Sequence, residues 1–207
     1  LGLCGSDISG IFLTHEHSDH IAGLEVFVRK NKIPVFASRG TLRYLEDRDK
    51  YYSIVDYFHT VESKKNISLG DLNIKAFDID HDANEPFGYR VECGNKKIAV
   101  ATDLGRYTMD IVNNLSDLDA LLIEANHDIR MLETGPYPYE LKRRILSNKG
   151  HLSNENSGKL ICEILNDKIK KIFLGHLSDK NNLPELALES VRFEIFSHDR
   201  QYNPKDF

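Results

Sequence analysis

The sequence predicts an α/β protein of layered sheets with helices packed outside, on three observations. Strand-like runs crowd residues 73 to 102, helix and strand alternate from residue 108 onward, and no repeat, low-complexity tract or Pro/Gly-rich linker interrupts the 207 residues. That length suits a single domain over residues 1–207. A hydrophobic share of 41%, a charged share of 29% and a net charge of −5 describe an ordinary globular chain and argue against a nucleic-acid coat protein. No apolar run reaches the length of a membrane span, so no membrane partner is expected. Cys4, Cys93 and Cys162 are odd in number and far apart, which speaks for a reducing, cytoplasmic compartment rather than a disulfide framework.

The elements follow in order. "LGLCGSDIS" reads as the end of a helix plus a turn, and "ISGIFLT" (8 to 14) as a short buried strand. "SDHIAGLEVFVRKN" places Ile21, Leu24, Phe27 and Val28 at helical spacing, with Ser18 as N-cap. "IPVFAS" (33 to 38) is a strand, and Ser38 caps the helix "GTLRYLEDR". "NIKAFDI" (73 to 79), "FGYRVEC" (87 to 93) and "KIAVAT" (97 to 102) are strands, with a Gly94-Asn95 turn between the last two. "MDIVNNL" is a helix, "DALLIEA" (119 to 125) a buried strand, and "YPYELKRRILSN" a helix. "SNENSGKLICEILND" is a helix capped by Ser153, "KIFLGH" (171 to 176) a strand, and "LPELALESV" the final helix. "FEIFSHDRQYNPKDF" reads as a strand followed by a loop.

One stretch stands apart. Between His15 and His20, "THEHSDHIAG" holds three of the chain's nine histidines, a glutamate and an aspartate. Residues two apart on an extended segment point the same way, so His15 and His17 can converge on one ion. Asp19 and His20 fall in the first helical turn and can face a second ion. Glu16 alternates away and reads as support rather than ligand. Four N/O donors in a row overfill one tetrahedral ion but furnish half the shells of two. Further ligands stand at strand ends: His81 after "NIKAFDID", Asp103 in "ATDLG", and His176 in "LGHLS".

The order H-x-H-x-D-H, His, Asp, His resembles the metallo-β-lactamase fold hydrolases, an αββα sandwich with two metals at its edge. Within them, "THEHSDHIAG", "HDANEPFGY", "ATDLG", "LLIEANHD", "GHLSNENS" and "LGHLSDKNNLPELA" are similar to the YycJ/WalJ-type branch, associated with DNA exonuclease activity. The resemblance runs from about residue 8 to 190 and leaves out the family's N-terminal pair of strands, so the domain is expected to be N-terminally incomplete. It implies His15, His17 and His81 on one metal, Asp19, His20 and His176 on the other, and Asp103 bridging. It also puts His151 of "GHLSN" beside the scissile phosphate without ligating.

Blander readings compete. The His cluster could be a polar surface loop, but neither helix nor turn propensity recruits histidine so densely. Asp103 could be a turn residue before Gly105, His81 a loop ion-pair member between Asp80 and Asp82, His176 a core histidine, and His151 a helix-start residue. Glu124 or Asp128 is expected to support His151 or a ligand, since a carboxylate beside an imidazole fixes its tautomer. His59 and His198 read as surface residues. "KRRILSNKG" is by default a solvated helix face, yet Lys142, Arg143, Arg144 and Lys149 could meet a phosphate backbone, and Tyr137 and Tyr139 could stack a base or cover a helix end.

The expected activity is hydrolysis of DNA phosphodiesters through a hydroxide bridging two divalent ions, zinc or manganese, with iron open. Asp103, His151 and Glu124 would carry the chemistry. A small-molecule ester, thioester or lactam hydrolase of the same fold is the alternative, followed by a metal-binding module without turnover. Flavodiiron-type redox chemistry fits less well, because those sites carry Glu where His17 stands here.

Overall fold

A computed structural model describes residues 2, 4–198 and 202–203. The strands form one three-stranded and one six-stranded sheet, so the chain is α/β with two sheets and, among the described residues, eight α-helices. Two compact units divide it, residues 1–78 with 83–89 and residues 79–82 with 90–207.

In the first unit β1 (Ile11–Phe12), β2 (Val35–Ala37) and β3 (Phe58–Thr60) run parallel, with Ile11 opposite Val35 and Val35 opposite Phe58. Helices α1 (Ser18–Ile21), α2 (Leu24–Asn31) and α3 (Arg39–Glu46) supply Ile21, Leu24, Val28, Leu42 and Leu45 to one apolar core with Leu13, Val35, Tyr51 and Ile54. Removing such side chains from water, at ~25 cal/mol per Å² of apolar surface, is the main stabilising contribution here. Ser38 caps α3 as expected, its hydroxyl accepting from the Thr41 amide at 3.1 Å. Ser18 does not cap: it is the first residue of α1, and His17 in the cap position makes no side-chain bond to the helix. The single helix expected over this stretch is also broken at Ala22 and Gly23, so α2 starts afresh. A 3-10 segment (Asp49–Tyr57) precedes β3. The hairpin β4 (Asn66–Leu69) and β5 (Leu72–Asp78) turns through Gly70 and Asp71, where Gly70 adopts φ +59°. Strand β6 (Phe87–Cys93) belongs to the first unit through Tyr89 and to the second from Arg90.

In the second unit β7 (Lys96–Ala101), β8 (Ala120–Glu124) and β9 (Lys171–Gly175) are parallel neighbours. Ala99, Ala101, Leu121 and Ile123 are buried on one face. Parallel strands need crossovers. Here α4 (Met109–Leu115) joins β7 to β8, and α5 (Ile129–Thr134), α6 (Tyr139–Ile145) and α7 (Asn154–Ile164) join β8 to β9. Ser153 caps α7, accepting from the Asn156 amide at 3.2 Å. The last helix, α8 (Pro184–Ser197), packs on α7 and includes Phe193–Ser197, which the sequence reading assigns to a strand. A helical period wins there, because Ala187, Val191 and Ile195 form one buried stripe. Of the expected C-terminal loop, residues 199–201 and 204–207 lie outside the described residues, as do Leu1 and Leu3 of "LGLCGSDIS", whose described part forms a 3-10 turn at Gly5–Asp7. No helix among the described residues is long and apolar enough to cross a membrane.

Candidate metal centre

The first unit presents the N-terminal cluster on the segment that runs from β1 into α1. The His15 and His17 rings lie 4.5 Å apart and those of His15 and His20 4.1 Å apart, centroid to centroid. The Thr14 hydroxyl stands 3.1 Å from His15 Nδ1 and 3.0 Å from His20 Nδ1, so it can accept from both rings, or accept from one and donate to the other. Asp19 Oδ2 is 3.4 Å from His20 Nε2. Glu16 points elsewhere, as expected. One of its oxygens accepts from the Asn84 amide at 2.9 Å and the Asn84 side chain at 2.8 Å, and the other from Thr41 Oγ1 at 3.2 Å. A buried carboxylate so bonded pins the segment that carries the histidines.

The second unit gathers its candidates at the carboxyl ends of three parallel strands, where open α/β sheets place ligands. Asp103 follows β7, Glu124 ends β8 and His176 follows β9. Glu124 is fully buried and organises the rest. Its Oε1 accepts from His151 Nδ1 at 2.7 Å and His176 Nδ1 at 3.0 Å, while Oε2 accepts from the Leu104 amide at 2.8 Å and the Leu152 amide at 3.1 Å. Burial pushes its carboxyl up, but the two imidazole bonds outweigh that and hold it at about 2. With four N–H groups on its two oxygens, Glu124 orients its neighbours and is a poor ligand itself, although its oxygen lies within reach of Asp103, His151 and His176.

Those bonds fix tautomers. His176 and His151 donate through Nδ1 to Glu124, and His81 donates through Nδ1 to the Gly150 carbonyl at 3.1 Å. In the neutral rings the lone pair therefore sits on Nε2. Burial lowers the pKa of His81, which favours that neutral form. His176 Nε2 and His81 Nε2 lie 3.3 and 3.6 Å from Asp103 Oδ1. Two imidazole lone pairs facing a carboxylate oxygen repel unless a proton or a cation lies among them, and a donor set of two imidazoles and a carboxylate fits a divalent metal.

The backbone carries the same message. Asp103 and His176 adopt φ of +62° and +54°, a left-handed conformation that costs a non-glycine residue ~1–2 kcal/mol. Asn126, which the sequence reading does not single out, holds the second of them by donating through Nδ2 to the His176 carbonyl at 2.9 Å. Its only signal is its place in "EANHD". Asn154 and Asn182 bond reciprocally at 2.8 and 2.9 Å behind the same loops. Asp128 supports neither His151 nor a ligand: its side chain accepts from the Met131 amide at 2.8 Å as the N-cap of α5. His127 is buried with no hydrogen bond to either ring nitrogen among the described residues, and burial lowers its pKa to about 4. His59 is exposed and stacks on Phe36, while His198 is half-buried at the end of α8.

Of the expected phosphate-binding cations, Arg144 forms a bidentate pair with Asp82, the residue after His81, which raises its pKa. Arg143 faces Glu140 at 3.3 Å, and Lys142 donates to the Glu133 carbonyl at 2.7 Å. Lys149 is exposed on the loop that leads to His151.

Two sheets with helices, and imidazoles and carboxylates clustered at strand ends, define a metallohydrolase of the β-lactamase type. The chain belongs to the metallo-β-lactamase superfamily: residues 4–173 match the β-lactamase superfamily domain. It is 38% identical over 194 residues to exodeoxyribonuclease YycJ of Bacillus anthracis, covering 90% of this chain and 70% of that protein. It is 41% identical over 183 residues to exodeoxyribonuclease WalJ of Streptococcus pneumoniae, covering 87% of this chain and 68% of that one. Among solved structures, the metallo-β-lactamase fold protein YhfI of Bacillus subtilis aligns with a TM-score of 0.66 at 13% identity over 93% of this chain and 73% of that one. Zinc-bound PqqB of Methylobacterium extorquens aligns at 0.67 and 20% over 92% and 68%. These two likenesses show the fold expected from the motif order.

Proposed function

We propose that the chain is a metal-dependent phosphodiester hydrolase that acts on DNA as an exonuclease. One observation carries the reading: Glu124 fixes the His151 and His176 rings together, so an acid–base candidate and a ligand candidate share one buried anchor. Two relatives at 38% and 41% identity that bear the name exodeoxyribonuclease support the choice of DNA.

In this reading His15, His17, Asp19 and His20 of the first unit and His81, Asp103 and His176 of the second would supply the ligands of the divalent ions. Bound divalent ions supply Lewis acidity toward phosphoryl oxygens and bring the ionisation of water into the neutral range. The chain's own groups do the rest. His151 holds a proton on Nδ1 against Glu124 and can release one from Nε2 to the departing sugar oxygen. The buried carboxylate stabilises the imidazolium before that transfer, as an oriented negative charge does in a triad. Arg143, Arg144 and Lys149 favour the approach of a phosphate backbone. Imidazole and carboxylate donors suit zinc or manganese, and iron is compatible. Three cysteines, odd in number and far apart in sequence, support a cytoplasmic, reducing setting.

The test is elemental analysis together with digestion of end-labelled duplex DNA in manganese or zinc. About two ions per chain, shortening of the DNA, and its loss in Asp103→Ala are expected. His151→Ala should keep its metal and lose most of the rate, a factor of ~10²–10⁴. Metal bound without cleavage of any phosphodiester would reject the reading in favour of small-molecule substrates.

A further inference from the structure

The geometry points to a base-stacking subsite for single-stranded nucleic acid on the exposed face of α6, an inference that rests on the phosphodiesterase reading and gives it a substrate contact. Tyr139, Lys142, Arg143 and Leu146 stand at i, i+3, i+4 and i+7 and so share one helical face. With Glu133 and Ser147 they line an open groove of about 510 Å³, within the range of small-ligand sites. Tyr139 is 74% exposed and Leu146 49%.

The chemistry of this face selects its occupant. A ring that open gains little from folding, yet it offers a flat π surface, and every nucleobase has a matching face. Lys142 is steadied at the groove by its bond to the Glu133 carbonyl, which leaves its positive charge uncancelled at that contact. The Arg143–Glu140 pair is open to solvent on both sides (70% and 74%), so it contributes little and a phosphate can replace the carboxylate. An aromatic plate flanked by two cations matches a polyanion with stackable bases. It is a poor match for an apolar peptide, which would leave both charges unsolvated.

The helix is also tied to the candidate centre of the same unit. The Ile145 carbonyl accepts from the His151 amide at 2.9 Å. Arg144 pairs with Asp82 beside His81, and the Gly150 carbonyl holds the His81 ring. Seven residues of helix span ~10 Å, so a base on Tyr139 lies a few nucleotides along the strand from these loops.

The experiment measures fluorescence anisotropy of a labelled oligothymidylate in EDTA, where nothing is cleaved, with the full chain and its variants. Tyr139→Ala should weaken binding roughly 5- to 150-fold. Tyr139→Phe should restore it, and Lys142→Ala should reduce the slope of log K against log salt by about 0.7. A duplex of equal length should lose the Tyr139 dependence, because its bases are already stacked. Binding that is insensitive to Tyr139→Ala overturns the subsite, and so does equal Tyr139 dependence for duplex and single strand. A chain that binds single strands through Tyr139 but hydrolyses no phosphodiester in manganese or zinc would instead overturn the phosphodiesterase reading and leave the subsite standing.

Discussion

Replacing Glu124 by glutamine keeps its shape and removes half of its accepting capacity. The carboxylate takes two imidazole N–H groups on one oxygen and two backbone N–H groups on the other. Glutamine has one carbonyl oxygen and one NH2, so one pair of donors must face another donor. If the NH2 turns toward Leu104 and Leu152, two buried amides lose their acceptor at ~1–3 kcal/mol each, or ~2–6 kcal/mol together. For a chain of this size that lowers Tm by roughly 4–24 °C. If the NH2 turns toward the rings, His151 and His176 must flip tautomer to accept from it, which puts a proton on Nε2. Stability then suffers less, but metal affinity falls by about 10- to 100-fold. The assays are a thermal melt in EDTA and zinc titration against a chromophoric chelator. A Glu124→Gln variant that melts within about 2 °C of wild type and binds zinc equally well would refute the assignment of Glu124 as the shared anchor.

Two further outcomes are expected. His127 has a folded-state pKa of about 4 against 6.5 for a free imidazole, so protonation favours the unfolded chain. The stability tied to its neutral form is complete above pH 6.5 and is lost as pH falls toward 4, about 3 kcal/mol in all. His127→Leu should remove that component, so urea midpoints of wild type and variant should diverge between pH 7 and 4, and parallel curves would count against the account. At Gly105, a Cβ would stand 2.3 Å from the Asn148 carbonyl carbon and oxygen and 2.4 Å from the Lys149 amide. Gly105→Ala must therefore push the loop carrying His151, costing about 1–3 kcal/mol and lowering kcat on DNA while metal content holds, which elemental analysis alongside kinetics would check.

Much of the fold was legible because local signals agreed with tertiary ones. Strand 87–93 and helix 109–115 have the expected bounds, and Ser38 and Ser153 cap as their positions suggest. Where the signals conflicted, reach decided. "FEIFS" alternates over only its first three residues, and the helical stripe from Ala187 to Ile195 extends further and carries it. Helix α5 has only six residues, too few to show a period, and only its Asp128 cap announces it. The sequence narrows the supporting carboxylate to Glu124 or Asp128, and the choice rests on where each backbone segment ends: Glu124 closes a strand facing the loops, and Asp128 opens a helix. Asn126 is not legible in the sequence, because an amide that acts on a neighbour's carbonyl has no sequence pattern.

The left-handed backbone at Asp103 and His176 sets a direction for laboratory evolution of this chain. Glycine or asparagine would relax either position at once. A library screened only for survival after heating should therefore drift toward those residues and shed the side chains that the candidate centre needs. A screen that demands bound metal as well should hold both in place, and stabilising changes would then accumulate at positions remote from these strand ends.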